Sequence, residues 1–255
     1  MTEILTGALL QLRLFRRNAG HLLVFATIPF FTAIFLSSVR QADRPDLEAY
    51  AVLAPALMGL WLVSLDLAGS VVDDEKRGGT LELFLGSPAG LTRLVTGRVA
   101  VIAVLGAATF AESWLTAAVL FDVRLPVHHP WLLVCTLAAT ALATLGTATV
   151  LAAAFVTAGS ARRWANALGY PCYVLGGVLV PVALLPGWLQ PVSKVIYLSW
   201  AADLLRAVTR PEPVGDFGWR LGALLLLGAV AYLAGTVLVD RMIIRLKSEG
   251  TVGLS

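Results

Sequence analysis

Two acidic residues lie inside long apolar stretches of the sequence, where a carboxyl group is uncommon. Asp66 falls within the apolar stretch 50–72, and Glu112 falls within the stretch 99–121. An acid near the centre of a bilayer costs about 2.5–3.5 kcal/mol on insertion scales, so each carboxyl is expected to face protein or water. Two interpretations are open. The acids line a substrate path or accept a proton, or they make hydrogen-bonded helix contacts with nearby serines.

Other residue types that could do chemistry give little support for a catalytic or metal site. His128 and His129 are adjacent on a short loop near Asp122, but neighbouring side chains point apart and no third ligand is evident. Cys135 and Cys172 lie in apolar runs, where cysteine behaves as a small hydrophobic residue. The sequence contains no Gly-x-x-x-x-Gly-Lys-Ser/Thr motif, so this chain is not expected to bind ATP phosphates through such a loop.

The amino-acid composition is that of a membrane protein. Of the 255 residues, 58% are hydrophobic and only 14% are charged, whereas a soluble domain carries roughly 25% charged residues. The mean hydropathy is +0.82. The net charge of +3 is not gathered in a basic stripe with interleaved aromatics, so nucleic acid is not an expected partner. These properties exclude an ordinary soluble enzyme and a disordered chain, and they point to the lipid bilayer as the surroundings.

The hydropathy pattern predicts an all-α integral membrane protein with six transmembrane helices. Each apolar stretch is close to the ~20 residues that cross a bilayer as a helix. Residues 184–217 are also apolar but are interrupted by proline and glycine, which favours a re-entrant hairpin in the outer leaflet or a helix lying on it. The six predicted spans are residues 21–39, 50–72, 99–121, 131–158, 164–185 and 221–239.

Residues 1–20 have the pattern of an amphipathic helix lying at the membrane interface. The alternative is that they extend the first span. The basic residues of this segment follow its apolar part, which is the reverse of a cleavable signal peptide. The predicted apolar face holds Ile4, Leu5, Ala8, Leu9, Leu12 and Phe15, and the opposite face holds Glu3, Thr6, Gln11 and Arg17.

The distribution of basic residues predicts the orientation of the chain. With the N-terminus in the cytoplasm, the predicted inside segments carry twelve lysines and arginines, Arg98 among them, and the outside segments carry seven. Basic residues are enriched in cytoplasmic loops. Six spans then place both termini in the cytoplasm.

The connection 73–98, between the second and third spans, is the most informative part of the sequence. Gly78 and Gly79 permit a sharp reversal. Thr80 can cap a short helix, and Glu82 in its first turn suits the helix dipole. The pattern therefore predicts a short helix lying flat at the cytoplasmic face. Such a helix either packs against the spans or docks a cytoplasmic partner.

These motifs resemble a known family. The run Glu75-Lys76-Arg77-Gly78-Gly79-Thr80-Leu81-Glu82, followed by Ser87-Pro88 and Gly97-Arg98, resembles the signature of ABC type-2 permeases, the membrane subunits of bacterial ABC exporters. A looser match begins at Leu185-Pro186-Gly187-Trp188-Leu189-Gln190 and continues at Ser199-Trp200 and Asp203-Leu204-Leu205-Arg206. It resembles the extracellular re-entrant helices of that family. The resemblance covers essentially the whole chain.

The resemblance implies one permease domain, residues 1–255, which pairs with a second identical or homologous permease and docks on two ATPase subunits. ATP and magnesium would be bound by those partners, and no cofactor by this chain. The location would be the inner membrane of a bacterium, and the cargo a drug, an antibiotic or another exported molecule. Residues 1–20 would form a second contact with the ATPase. The residues implied in coupling are Glu75, Arg77, Gly78, Gly79, Thr80, Leu81, Glu82 and Phe84.

The second and fifth predicted spans resemble the spans that, in this family, line the central path between the two permeases. This implies a role in the path for four residues of those spans, and the two acids within the membrane join them on chemical grounds. The aromatic residues among them can equally pack against protein or face lipid. The candidate path residues are Met58, Trp61, Asp66, Glu112, Tyr170 and Tyr173.

Two other functions are alternatives to the exporter. A membrane anchor or sensor for an ATPase would use the same docking helix without transporting anything. An integral-membrane enzyme would need a set of catalytic groups at one membrane depth. Asp66 and Glu112 lie on different predicted spans with no histidine or lysine near them, so no nucleophile–base pair can be placed.

Overall fold

A computed structural model describes residues 2–17, 22–77, 91–123, 125, 127–157 and 161–248, and in these ranges the secondary structure is helical, without a strand. Two single turns of 3₁₀ helix, Pro45–Leu47 and Val182–Leu184, join longer elements. The α-helices are α1 (Thr2–Arg17), α2 (Leu22–Gln41), α3 (Glu48–Arg77), α4 (Leu91–Phe121), α5 (Pro130–Thr157), α6 (Ala161–Leu175), α7 (Gln190–Val195), α8 (Tyr197–Val208) and α9 (Phe217–Ser248).

Four of these helices are long and apolar enough to cross a membrane. They correspond to the second, third, fourth and sixth predicted spans. These are the four such segments in the described part of the chain, and the first and fifth spans stay predictions. The four apolar segments are Pro45–Ala68, Val95–Phe121, Pro130–Phe155 and Phe217–Arg241.

The helix α3 lies at the centre of the bundle and is the most buried of the four. It runs antiparallel to α4, and hydroxyl groups of α4 bond to its backbone. Thr109 Oγ1 donates to the carbonyl oxygen of Ala56 at 2.8 Å, and Ser113 Oγ donates to that of Val52 at 2.8 Å. Hydroxyls bonded in this way place polar atoms inside an apolar bundle without leaving them unsatisfied.

The helices α5 and α9 run parallel and approach closely through small residues. A methyl group added to Gly228 of α9 would lie 2.5 Å from Cα of Ala143 in α5. Two further glycines, Gly146 and Gly235, face the backbone of the other helix in the same way. Because lipid is as apolar as leucine, membrane helices associate through such close backbone contact rather than through hydrophobic burial.

The fifth predicted span was expected to continue to residue 185, and this was wrong, because α6 ends at Leu175. Gly177 has a φ of +66°, which favours glycine. The N–H groups of Gly176 and Val178 donate back to the carbonyls of Cys172 (2.8 Å) and Tyr173 (3.0 Å), closing the helix. The apolar residues that follow form turns and one 3₁₀ turn, so hydropathy alone overestimated the helix.

The helix α8 lies alongside the first half of α5. At its start, the hydroxyl of Tyr197 lies 2.9 Å from Oγ1 of Thr144, in the middle of α5. Just beyond its end, the carbonyl oxygen of Thr209 lies 3.1 Å from Nδ1 of His128, which precedes α5. The chain therefore goes from the middle of the bundle to one end through α8. The side chains of α8 are mostly buried.

Both ends of the connection 73–98 are helical. The helix α3 continues to Arg77, and α4 already begins at Leu91, so the charged residues after position 72 are helical. Gly78 to Gly90 lie outside the described residues. The apolar segment of α3 ends at Ala68, so its last turn carries the charged residues that follow the predicted second span.

Two exposed tryptophans lie near the end of the bundle at which α5 and α9 begin. Trp131 is at the start of α5 and Trp219 at the start of α9, while a third exposed tryptophan, Trp188, lies in the loop before α7. All three are 74% exposed. Tryptophan is enriched where membrane helices meet the water interface.

Candidate functional site

The structure brings three of the candidate path residues together in the interior of the chain. Tyr173 of α6 donates its hydroxyl to the carbonyl oxygen of Met58 of α3 at 3.2 Å. Trp61, one turn further along α3, is only 4% exposed, and its ring centroid lies 6.3 Å from that of Tyr197. These contacts join α3, α6 and α8 in one buried aromatic cluster.

The third aromatic candidate, Tyr170, lies elsewhere. It is 75% exposed on α6 and contacts the ring of Tyr173 edge-on, with centroids 6.3 Å apart. In a single chain the predicted lining residues are therefore divided, with one at the surface and three packed inside. The role of all four in a path remains a prediction.

Sequence reasoning did not single out two members of the buried cluster. Tyr197 and Thr144 pair through their hydroxyls inside the bundle, and both are buried. Tyr197 lies in the apolar segment after Pro191, where a lone tyrosine hydroxyl needs a partner. That need was visible in the sequence, but the identity of the partner on α5 was not.

The two acids of the spans lie at different depths. Glu112 is next to Ser113, which bonds to Val52 near the start of α3. Asp66 lies fourteen residues beyond Val52 on α3, about 21 Å along the helix axis. The structure therefore does not bring the two carboxyls together as a catalytic pair.

Glu112 has one oxygen without a hydrogen bond. Its side chain is half-buried, and Oε2 is inaccessible to solvent and meets no donor in the described part of the chain. The neighbouring residues Thr109, Ser113 and Thr116 instead bond to backbone carbonyls. The fold therefore does not use this oxygen of Glu112 as a hydrogen-bonded contact between helices. The other acid, Asp66, is half-buried on α3.

Most of the predicted coupling residues lie outside the described part of the chain. Glu75 and Arg77 are in the last turn of α3. The other predicted coupling residues are Gly78, Gly79, Thr80, Leu81, Glu82 and Phe84, and they fall within the undescribed stretch 78–90.

The helix α1 packs against α4 with part of its predicted polar face turned inward. Nε of Arg98 donates to Oε1 of Gln11 at 2.9 Å, and both side chains are fully buried, with exposures of 0% and 1%. On the other side, Leu5 and Leu9 of the predicted apolar face are 63% and 50% exposed. Arg98, counted in a predicted cytoplasmic segment, is buried against α1, and its side of the membrane stays a prediction.

Two side chains fasten the turn after α6 to the ends of α3 and α8. The hydroxyl of Tyr50 donates to the carbonyl oxygen of Val178 at 2.6 Å. The guanidinium of Arg206 donates to the carbonyl oxygen of Gly177 and stacks on the Tyr50 ring, with Cζ 4.9 Å from the centroid. The turn is thus held by a charged and a neutral donor together.

The two histidines contact the loop after α8. His128 Nδ1 lies 3.1 Å from the carbonyl oxygen of Thr209, and His129 Nε2 lies 3.2 Å from that of Glu212. These contacts join the segment before α5 to the segment before α9, which suits the parallel packing of the two helices.

A comparison with protein families decides the identity of this arrangement. Residues 4–209, from α1 to the residue after α8, match the model of the family described as "ABC-2 type transporter". The chain belongs to the ABC-2 type transporter family. It is therefore a multi-pass membrane protein.

One curated relative supports the same assignment over a shorter stretch. The ABC-2 type chain is 31% identical over 71 residues to Nodulation protein J of Rhizobium meliloti (strain 1021). The aligned stretch covers 28% of this chain and 27% of that protein. The similarity is therefore limited to about a quarter of the length of each chain.

Proposed function

We propose that this ABC-2 type permease is the membrane subunit of an ATP-driven exporter. The match of residues 4–209 to the family is the observation that carries the proposal. The functional unit would contain two permeases and two ATPase subunits in a bacterial inner membrane. Each permease would cross the membrane six times. The four long apolar helices would supply four of these crossings, α2 would supply the first, and α6 with the turns after it would supply the fifth. Both termini would be cytoplasmic.

ATP would be bound by separate subunits. The sequence contains no Gly-Lys pair, which the phosphate-binding loop of such ATPases requires. ATP and magnesium would therefore act on the partner, and this chain would convert the movement of that partner into a movement of its helices. The residues expected to contact the ATPase lie in the segment 75–84 and in α1.

The helix α8, which runs from the middle of the bundle to one end, would belong to the re-entrant element of the outer leaflet. Its support is the pairing of Tyr197 with the middle of α5 and of Thr209 with the residue before α5. The exposed tryptophans Trp131 and Trp219 would lie at the outer interface of the membrane.

The cargo would be an apolar molecule of the drug or antibiotic type. The buried cluster around Trp61 and Tyr173 offers aromatic surface with few polar groups, which suits such molecules. In the proposed cycle, the side chains of this cluster would move apart within each chain and become accessible to the cargo when the two permeases separate on one side of the membrane.

Purification of the tagged chain from its own membranes in mild detergent tests the proposal. We expect an ATPase with a phosphate-binding loop to co-purify in equal ratio and to hydrolyse ATP. A chain that purifies without an ATPase would overturn the proposal. ATP-dependent export in vesicles reconstituted with the complex separates an exporter from a sensor, because a sensor would bind the ATPase and transport nothing.

A further inference from the structure

Two adjacent residues of α4, Gly97 and Arg98, contact residues of α1 that lie apart from each other. At the first, the backbone of Ile4 lies so close to Gly97 that a methyl group there would overlap its carbonyl. At the second, Gln11 accepts the hydrogen bond from Arg98 at 2.9 Å. Ile4 and Gln11 are seven residues apart, about 10 Å along α1. Two contacts at that separation fix the position and the rotation of α1, whereas one contact would leave a pivot.

The hydrogen bond between Gln11 and Arg98 is the stronger of the two constraints. Both side chains are fully buried, and the donor is a charged guanidinium, whose bonds are about twice as strong as neutral ones. A third contact lies nearby, where the rings of Phe15 and Phe25 meet edge-on at 5.8 Å. It joins α1 to α2 as well.

The helix α4 also follows directly after the segment that is expected to dock on the ATPase. Residues 78–90 end where α4 begins at Leu91, and Gly97 and Arg98 lie in its second and third turns. Both expected ATPase contacts, the segment 75–84 and α1, are therefore attached to the same end of one helix.

We propose that the buried hydrogen bond between Gln11 and Arg98 makes α1 and the first turns of α4 one rigid lever, through which both ATPase contacts move α4. This inference rests on the proposed function. Gln11 is a positioning residue in this lever: it holds the side chain of Arg98 and thereby holds α1 against α4. The far part of α4 carries Thr109 and Ser113, which bond to α3, so a movement of the lever reaches the centre of the bundle.

The test is a distance measurement between spin labels in the purified complex. Labels replace Leu9 on α1 and Val104 on α4, which are 50% and 69% exposed, in a chain whose Cys135 and Cys172 are changed to serine. Distances are recorded without nucleotide and with ATP and vanadate. We expect a narrow distribution that moves by less than about 2 Å between the states, since α1 and α4 move together.

Two substitutions of Gln11 provide the matched pair. Gln11→Leu removes the acceptor and should broaden the distribution, and it should lower ATP-dependent export more than ATP hydrolysis. Gln11→Glu keeps an acceptor for Arg98 and should restore both the narrow distribution and the coupling. A merely structural role would lower both activities equally and would not separate the two variants in this way.

Three results would overturn the lever. They are a nucleotide-dependent change of about 5 Å in the unsubstituted complex, an unchanged distribution in Gln11→Leu, and equal loss of export and hydrolysis. Each of these leaves the proposed function intact if the ATPase co-purifies and the complex transports. Absence of an ATPase from the purified chain would overturn the proposed function itself, and the lever with it.

Discussion

The guanidinium of Arg206 lies over the ring of Tyr50, with Cζ 4.9 Å from the centroid, and both residues bond to the turn after α6. Tyr50 is at the start of α3, and Arg206 is near the end of α8. The pair therefore fastens three elements at one end of the bundle. Burial lowers the pKa of the Arg206 guanidinium, and the neighbouring Tyr50 and Asp203 act in the opposite direction.

We expect Arg206→Gln to destabilise the permease by about 1–3 kcal/mol, because a charged hydrogen bond and a cation–π contact are lost. The apparent melting temperature in detergent, followed by tryptophan fluorescence, measures the effect. Arg210→Gln is the matched control, since Arg210 is exposed one turn further on. Equal shifts for the two variants would show that the Arg206 contacts do not hold the turn.

A second prediction concerns the close contact of α5 and α9. Gly228→Ala places a methyl group 2.5 Å from Cα of Ala143, and the two backbones must move apart. Overpacking of this kind costs about 1–3 kcal/mol. Gly222→Ala on the same helix meets nothing within 4 Å and should be neutral or slightly stabilising. The comparison uses the yield of folded protein and the melting temperature, and a neutral Gly228→Ala would argue against the close approach.

The acid of α4 gives a third prediction. Glu112→Gln removes the charge and keeps the shape. We expect the melting temperature to stay equal or to rise, because Oε2 meets no donor in the described part of the chain and an uncompensated buried carboxyl is costly. ATP hydrolysis by the complex should fall several-fold if the carboxyl belongs to the path.

The adjacent Ser113 is the control for this substitution. Ser113→Ala loses the bond to Val52 and the contact with Thr32, each at 2.8 Å, and should lower stability by about 1 kcal/mol. A loss of stability in Glu112→Gln as large as in Ser113→Ala, with hydrolysis unchanged, would favour a helix contact over a path residue.

Hydropathy predicted the long helices well, because a run of apolar residues is a local property. The helices α3, α4, α5 and α9 were all predicted, with errors mainly at their ends. The end of α6 was missed because apolar residues continue past Leu175, while the backbone turns at Gly177. Hydropathy reports burial in lipid or protein and cannot by itself distinguish a helix from an apolar turn.

The partners of polar residues were the least predictable part of the fold. Arg98 was placed in a cytoplasmic segment by a rule about charges in loops, and that rule names no partner, whereas Gln11, eighty-seven residues earlier, accepts its hydrogen bond in the interior. Trp61 and Tyr197 meet across a comparable separation. Contacts between residues so far apart in the chain depend on how helices pack, and periodicity within one helix does not contain that information.

The final prediction tests the segment that the sequence singled out most strongly. Glu82 lies in the first turn of the expected docking helix, and Glu82→Arg replaces a charge that suits the helix start with one that opposes it. We expect the variant to insert normally and to lose ATP-dependent export, with the co-purified ATPase reduced or its hydrolysis no longer stimulated.

Glu212→Arg makes the same change of charge at the other end of the bundle, in the exposed loop before α9. It should leave ATPase binding and export as in the unsubstituted complex. Membrane insertion, co-purification and export are measured side by side for the two variants. A charge at either membrane surface costs little, so a difference between Glu82→Arg and Glu212→Arg reports contact with the ATPase. Normal ATPase binding with full export in Glu82→Arg would show that this segment does not couple the two proteins.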